Sequence, residues 1–137
     1  MLLDAMRAGR ECFGFRLVHY AVLANHLHLV VEAGDSRSLS RGMQGLAVRM
    51  ARALNRAWRR RGKVFAERFH AHVLKTPREV RNALRYVLEN ARRHGAWLRR
   101  GGVDPFSSAR APLGRARTWL LSVGLRMHGR PRPSHVC

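Results

Sequence analysis

From Leu39 to Ala57 the apolar residues Leu39, Met43, Leu46, Met50, Leu54 and Ala57 step by three or four positions. That is the repeat of an α-helix with one buried stripe. Arg41, Arg49, Arg52, Arg56, Arg59, Arg60 and Arg61 occupy the other faces. A strand would throw alternate residues of this stretch onto opposite sides and bury arginine with the leucines. The segment is therefore expected as a long helix, entered from Gly34-Asp35-Ser36 and ended by Gly62.

The elements around it follow from shorter signals. Leu2 to Cys12 reads as a short helix broken at Gly14. Phe15 to Leu23 is rich in β-branched and aromatic residues and reads as a strand, and His26 to Ala33 reads as a second, across a turn at Ala24-Asn25. Val64 to Leu74 reads as a third strand. Thr76-Pro77-Arg78-Glu79 is a capping box with proline at the first helical position, the clearest helix start in the chain. The helix it opens is expected to run to about His94 and stop at Gly95. Two adjacent strands, then helix, strand and helix, give an α+β chain: an antiparallel sheet with helices packed on one face.

The length, 137 residues, suits one core. The domain reading is a main body over 1–100 and a basic Pro/Gly-containing extension over 101–137. Thr118 to His128 in that extension is apolar enough for one short helix laid on the body. The hydrophobic fraction of 46% excludes a wholly disordered basic peptide. Lys and Arg number 27 against 8 Asp and Glu, a net charge of +19, which excludes an acidic tail and a cation carrier. It points to a polyanion, either nucleic acid or an anionic membrane surface. The charge is uneven: −1 over 1–35, +15 over 36–100 and +5 over 101–137. Arginine outnumbers lysine 25 to two, which suits forked phosphate contacts and equally follows from a GC-rich coding sequence. Cys12 and Cys137 make no disulfide framework, so a reducing cytoplasm is expected. No run of 18 apolar residues is present, so nothing is expected to span a membrane, and no membrane is counted among the expected partners.

Asn25-His26-Leu27-His28-Leu29-Val30-Val31 is the sharpest local feature. On a strand, His26 and His28 share one face, roughly 6–7 Å apart along the chain, and can converge on one metal ion. Leu27, Leu29 and Val31 are then expected to face the core. Two polar residues on a solvent face explain the same spacing. Phe69-His70-Ala71-His72-Val73 repeats it, which leaves a second ligand pair, a face turned to DNA and plain exposure all open. Tyr86 lies on the helix opened by the capping box, away from the centre of its apolar face, with Asn90 one turn further on. A boundary tyrosine with its hydroxyl in water fits that position too.

Taken together, His26-Leu27-His28 within its apolar strand, the stretch Phe65-Ala66-Glu67-Arg68-Phe69-His70, and Arg85-Tyr86-Val87-Leu88-Glu89-Asn90 running on to Gly95 resemble the HUH single-tyrosine transposases, in the REP-associated tyrosine transposase branch. The likeness spans about Phe15 to Gly95. Ala91 stands where that family usually has proline. The family's sheet is ferredoxin-like, with a strand before the first helix. Met1 here already falls in the apparent first helix, so the sheet is expected to lack its first strand, as in a truncated copy.

The resemblance implies an enzyme that cleaves and rejoins single-stranded DNA at hairpin-forming repeats. Tyr86 matches the nucleophile that forms a 5′-phosphotyrosine link and frees a 3′-hydroxyl. His26, His28 and Asn90 match the residues that hold Mg²⁺ or Mn²⁺. Arg41, Arg49, Arg52, Arg56, Arg60, Lys63, Arg68, His70, Arg85 and Arg93 are the expected DNA contacts, and Trp58 and Trp97 the candidates for stacking on an unpaired base. The expected partner is single-stranded or hairpin DNA in a bacterial nucleoid, with a homodimer as one possible assembly. The alternatives are a non-catalytic nucleic-acid-binding protein derived from such an enzyme, and a metal-dependent hydrolase built on His26, His28, His70 and His72.

Overall fold

The structure, a computed structural model, describes residues 2–23, 26–66, 68–89, 107–108 and 112–124. Its elements in chain order are α1 (Leu2–Ala8), β1 (Glu11–Cys12), β2 (Phe15–Val22), β3 (Leu27–Ala33), α2 (Ser36–Ala57), α3 (Pro77–Leu88) and a π-helical turn at Leu120–Gly124. The strands form a three-stranded antiparallel sheet in the order β1-β2-β3. With helices packed against it, the architecture is α+β and consistent with a ferredoxin-like arrangement.

The chain divides into two compact units, one of Met1–Arg16 and Glu32–His72, the other of Leu17–Val31 and Val73–Cys137. In the first, the expected helix over Leu2 to Cys12 stops at Ala8, and Glu11 and Cys12 pair instead with Arg16 and Phe15. The reason is the two-residue turn between them. Phe13 (φ 26°) and Gly14 (φ 82°) both hold positive φ, as a tight hairpin with right-handed twist requires. Arg16 forms an ion pair with the buried Glu32 and lies 3.7 Å from Glu11.

Helix α2 starts where the sequence indicates. Asp35 caps it by accepting the Ser38 N–H at 2.7 Å. Of its apolar stripe Leu46 and Met50 are buried, together with Gly42. A Cβ on Gly42 would overlap the ring of Phe15, so the backbone comes close only because that residue is glycine. The helix ends at Ala57, not at Gly62. Arg59, at φ 50°, takes the left-handed position that normally falls to glycine. The Arg59 and Arg60 N–H groups then close back on the carbonyls of Arg56 and Asn55.

No strand forms over 64–74 among the described residues. Phe69 is 43% exposed and Val73 69%, so the alternating pattern has no buried face to hold it in register.

In the second unit, Val18, Ala21 and Val30 pack with Val80, Leu84 and Val87 of α3 and with Leu121 of the π-helical turn. Ser107 bridges to Ala21, and the Ser108 hydroxyl accepts the Tyr20 N–H at 2.9 Å. Tyr20 is buried, as its place in the apolar first strand suggests. Helix α3 carries the full capping box: Thr76 Oγ1 accepts the Glu79 N–H, and the Glu79 carboxylate accepts the Thr76 N–H. Its described length closes at the C-cap Glu89. The residues expected to extend it to Gly95 lie outside the described residues.

Candidate functional site

Three of the expected site residues come together within the second unit. The apolar face of α3 (Val80, Leu84, Val87) is pinned against Val18 and Val30 of the sheet. Tyr86 sits one residue from Val87 and therefore about 100° round the helix. That turn brings it out at the edge of the packed face, where its ring stands edge-on to His28, with centroids 5.1 Å apart. The His26 and His28 rings are also edge-on, with centroids 4.8 Å apart. The three rings form a continuous row from the start of β3 to the last turn of α3. Tyr86 keeps 40% of its surface in solvent.

The row corrects one expectation about β3. Leu27, Leu29 and Val31 are only half-buried, whereas Val30 is buried in the core against α3. Strand alternation places His26, His28 and Val30 on the same side. The histidines therefore share the helix-covered side of the strand, and α3 is what brings a tyrosine to them. A pair on the opposite face would have had no such neighbour.

The ring spacing lies in the ordinary edge-to-face range and is also near what a shared cation would require. An imidazole nitrogen stands about 2.0–2.1 Å from a bound first-row metal, so two rings whose bonds to one ion meet at a right angle bring their centroids to roughly 4.6 Å. The observed 4.8 Å is close to that spacing. The two imidazoles supply nitrogen donors only. A Mg²⁺ or Mn²⁺ ion held by them would need oxygen donors from elsewhere to complete its coordination. Asn90, the third expected ligand, lies outside the described residues, as do Arg93 and Trp97. Among the described residues no group of three or more His, Cys, Asp or Glu side chains gathers to hold a metal ion.

The expected DNA contacts Arg41, Arg49, Arg52, Arg56, Arg60, Lys63, Arg68, His70 and Arg85 are all exposed. His72 is exposed as well, on the stretch that forms no strand. No helix among the described residues is long and apolar enough to cross a membrane. No protein-family model, no curated protein and no solved structure matches this chain.

Proposed function

We propose that the chain is a DNA strand-transfer enzyme of the HUH single-tyrosine kind, acting on single-stranded DNA beside hairpins, with Tyr86 as nucleophile. The observation that carries this reading is the row His26–His28–Tyr86, with successive centroids 4.8 and 5.1 Å apart. Two imidazoles and a partly exposed tyrosine stand side by side in a chain of strong positive charge.

The Tyr86 oxygen attacks the scissile phosphorus. The new phosphotyrosine bond forms as the phosphorus–O3′ bond breaks, the phenol proton passes to solvent, and the departing oxygen leaves as a protonated 3′-hydroxyl. The linkage remains a phosphodiester, so its energy is kept for rejoining. A free phenol has a pKa near 10 and needs help at neutral pH. His26 and His28 would hold the divalent cation, which supplies electrophilic activation and orients the phosphate when bound. Neutral imidazoles add no negative charge beside the incoming phosphate. His28 also supports the Tyr86 ring from the side and so limits where the phenol oxygen can point. The exposed arginines supply non-specific phosphate affinity that falls as salt rises.

The test is incubation with Mn²⁺ and a hairpin-flanked single strand, resolved by denaturing electrophoresis. A covalent protein–DNA adduct is expected. It disappears in Tyr86→Phe, and falls sharply in His28→Ala or with a chelator. Adduct yield unchanged in Tyr86→Phe overturns the assignment of the nucleophile. Tight, salt-sensitive binding with no adduct under any of these conditions replaces the reading with that of a non-catalytic nucleic-acid-binding protein.

A further inference from the structure

The turn that ends α2 takes no part in the bond-making step proposed above, though Arg56, Arg60 and Lys63 are among the expected DNA contacts, and it combines three unusual features. Trp58, at the C-cap, is 59% exposed. Arg56, Arg59, Arg60, Arg61 and Lys63 surround it in sequence, five cations in eight positions with no acid among them. The backbone at Arg59 is held at φ 50°, a conformation that glycine adopts freely and a side chain resists.

The turn is also braced. The N–H groups of Trp58, Arg59 and Arg60 bond to the carbonyls of Leu54, Arg56 and Asn55. The Asn55 side-chain amide donates to the Gly62 carbonyl at 2.9 Å, and the Arg60 guanidinium donates to the Lys63 carbonyl at 3.0 Å. A strained residue in an over-determined setting is a recurrent mark of a binding site. Five like charges packed this closely repel one another until a polyanion neutralises them.

We infer that this turn is a stacking site for an unpaired base of a single-stranded nucleic acid, with Trp58 as the platform and the flanking cations on the adjacent phosphates. A planar indole beside a line of cations matches the two repeating parts of a single strand, base and phosphate. An anionic membrane fits less well, because an interfacial anchor needs a broad apolar face and 56–63 offers only Trp58 and Ala57. The site needs neither a metal ion nor Tyr86.

The experiment is fluorescence anisotropy at fixed salt in the presence of a chelator, with labelled oligothymidylate, oligouridylate, an abasic strand of the same length and a duplex. Trp58→Ala is expected to weaken binding of the base-bearing single strands about tenfold, and to leave the abasic strand, the duplex and the salt dependence unchanged. Trp58→Phe, which keeps an aromatic face, retains most of the affinity. Circular dichroism confirms that both variants are folded. Equal losses on the abasic strand, or no loss on any strand, overturn the inference. So does a Trp58→Ala defect confined to binding of phosphatidylglycerol vesicles. The same titration in Tyr86→Phe is expected to match the unmodified chain, so loss of adduct formation and loss of base stacking are read separately.

Discussion

The two longest helices dock by opposite means. Helix α3 fills space: Val80, Leu84 and Val87 enter a core with Val18, Val30 and Leu121. Helix α2 leaves space out: at Gly42 its backbone lies against the ring of Phe15 with no room for one more carbon. The consequence for function follows from the geometry of each. A volume-filling face fixes the rotation of α3 about its axis, so a residue at its edge, Tyr86, has a defined neighbour in His28. Helix α2 needs only its narrow stripe, and the remaining surface is free to carry arginine along its length. Positional accuracy belongs to α3 and charge to α2.

Truncating Leu84 to alanine strikes that difference hardest. It leaves a void in the α3 core and is expected to lower stability by about 2–5 kcal/mol, read as a shift in the urea midpoint. A loss under about 1 kcal/mol would mean that α3 is not held by filling. Adding a carbon at Gly42 tests the other helix. Helix propensity alone predicts that glycine to alanine stabilises by up to about 1 kcal/mol. Overlap with Phe15 predicts the reverse, and Gly42→Ala is expected to destabilise by about 1–3 kcal/mol. Gly45 is the internal control, since a Cβ there meets no atom within 4 Å. Gly45→Ala should therefore follow propensity and stabilise. If both variants move the midpoint in the same direction, the close approach at Gly42 does not govern docking.

Smaller effects sharpen the comparison at the helix ends. Arg59→Gly relieves the left-handed backbone and is expected to raise stability by about 1 kcal/mol in thermal denaturation. Unchanged or lowered stability would show that the arginine side chain offsets its own strain. Asp35 is held below the usual aspartate range, chiefly by its hydrogen bond from the Ser38 backbone. A depressed carboxyl stabilises the fold above its unfolded pKa, and that stabilisation is lost as pH falls through the lower folded value. Stability should therefore fall less steeply with acid below the ordinary aspartate pKa in Asp35→Asn than in the unmodified chain. Parallel acid titrations of the two would dismiss the cap.

Local signals are legible in this sequence and long-range ones are not. The Thr76 capping box and the α2 stripe each sit within a few residues, and both helices begin where the pattern places them. Alternation alone misplaces the faces of β3, because Leu27, Leu29 and Val31 are individually no less apolar than Val30. The deciding fact is the packing of α3, some fifty residues later in the chain. The charge of Glu32 reinforces the error. Its buried place is made tolerable by Arg16 in the neighbouring strand, a partner that strand alternation cannot reveal. Gly62 draws the expected end of α2 because left-handed caps favour glycine, and here Arg59 takes the position three residues earlier. At the site, the pairing of His26 with His28 is readable from a two-residue spacing. The approach of Tyr86 follows from no spacing within the chain and comes only through the family resemblance.

The bond between Ser108 and Tyr20 joins residues 88 apart in the chain, and Leu121, later still, shares a core with Val18 and Val30. A polypeptide leaves the ribosome from its N-terminus. Strand β2 is therefore made long before the serine and the leucine that cover it. Phe15 and Gly42, by contrast, are both out early and can meet while the rest is still being made. During the interval Val18 and Ala21 of β2 lack the later residues that cover them, so this part of the strand is open to other proteins.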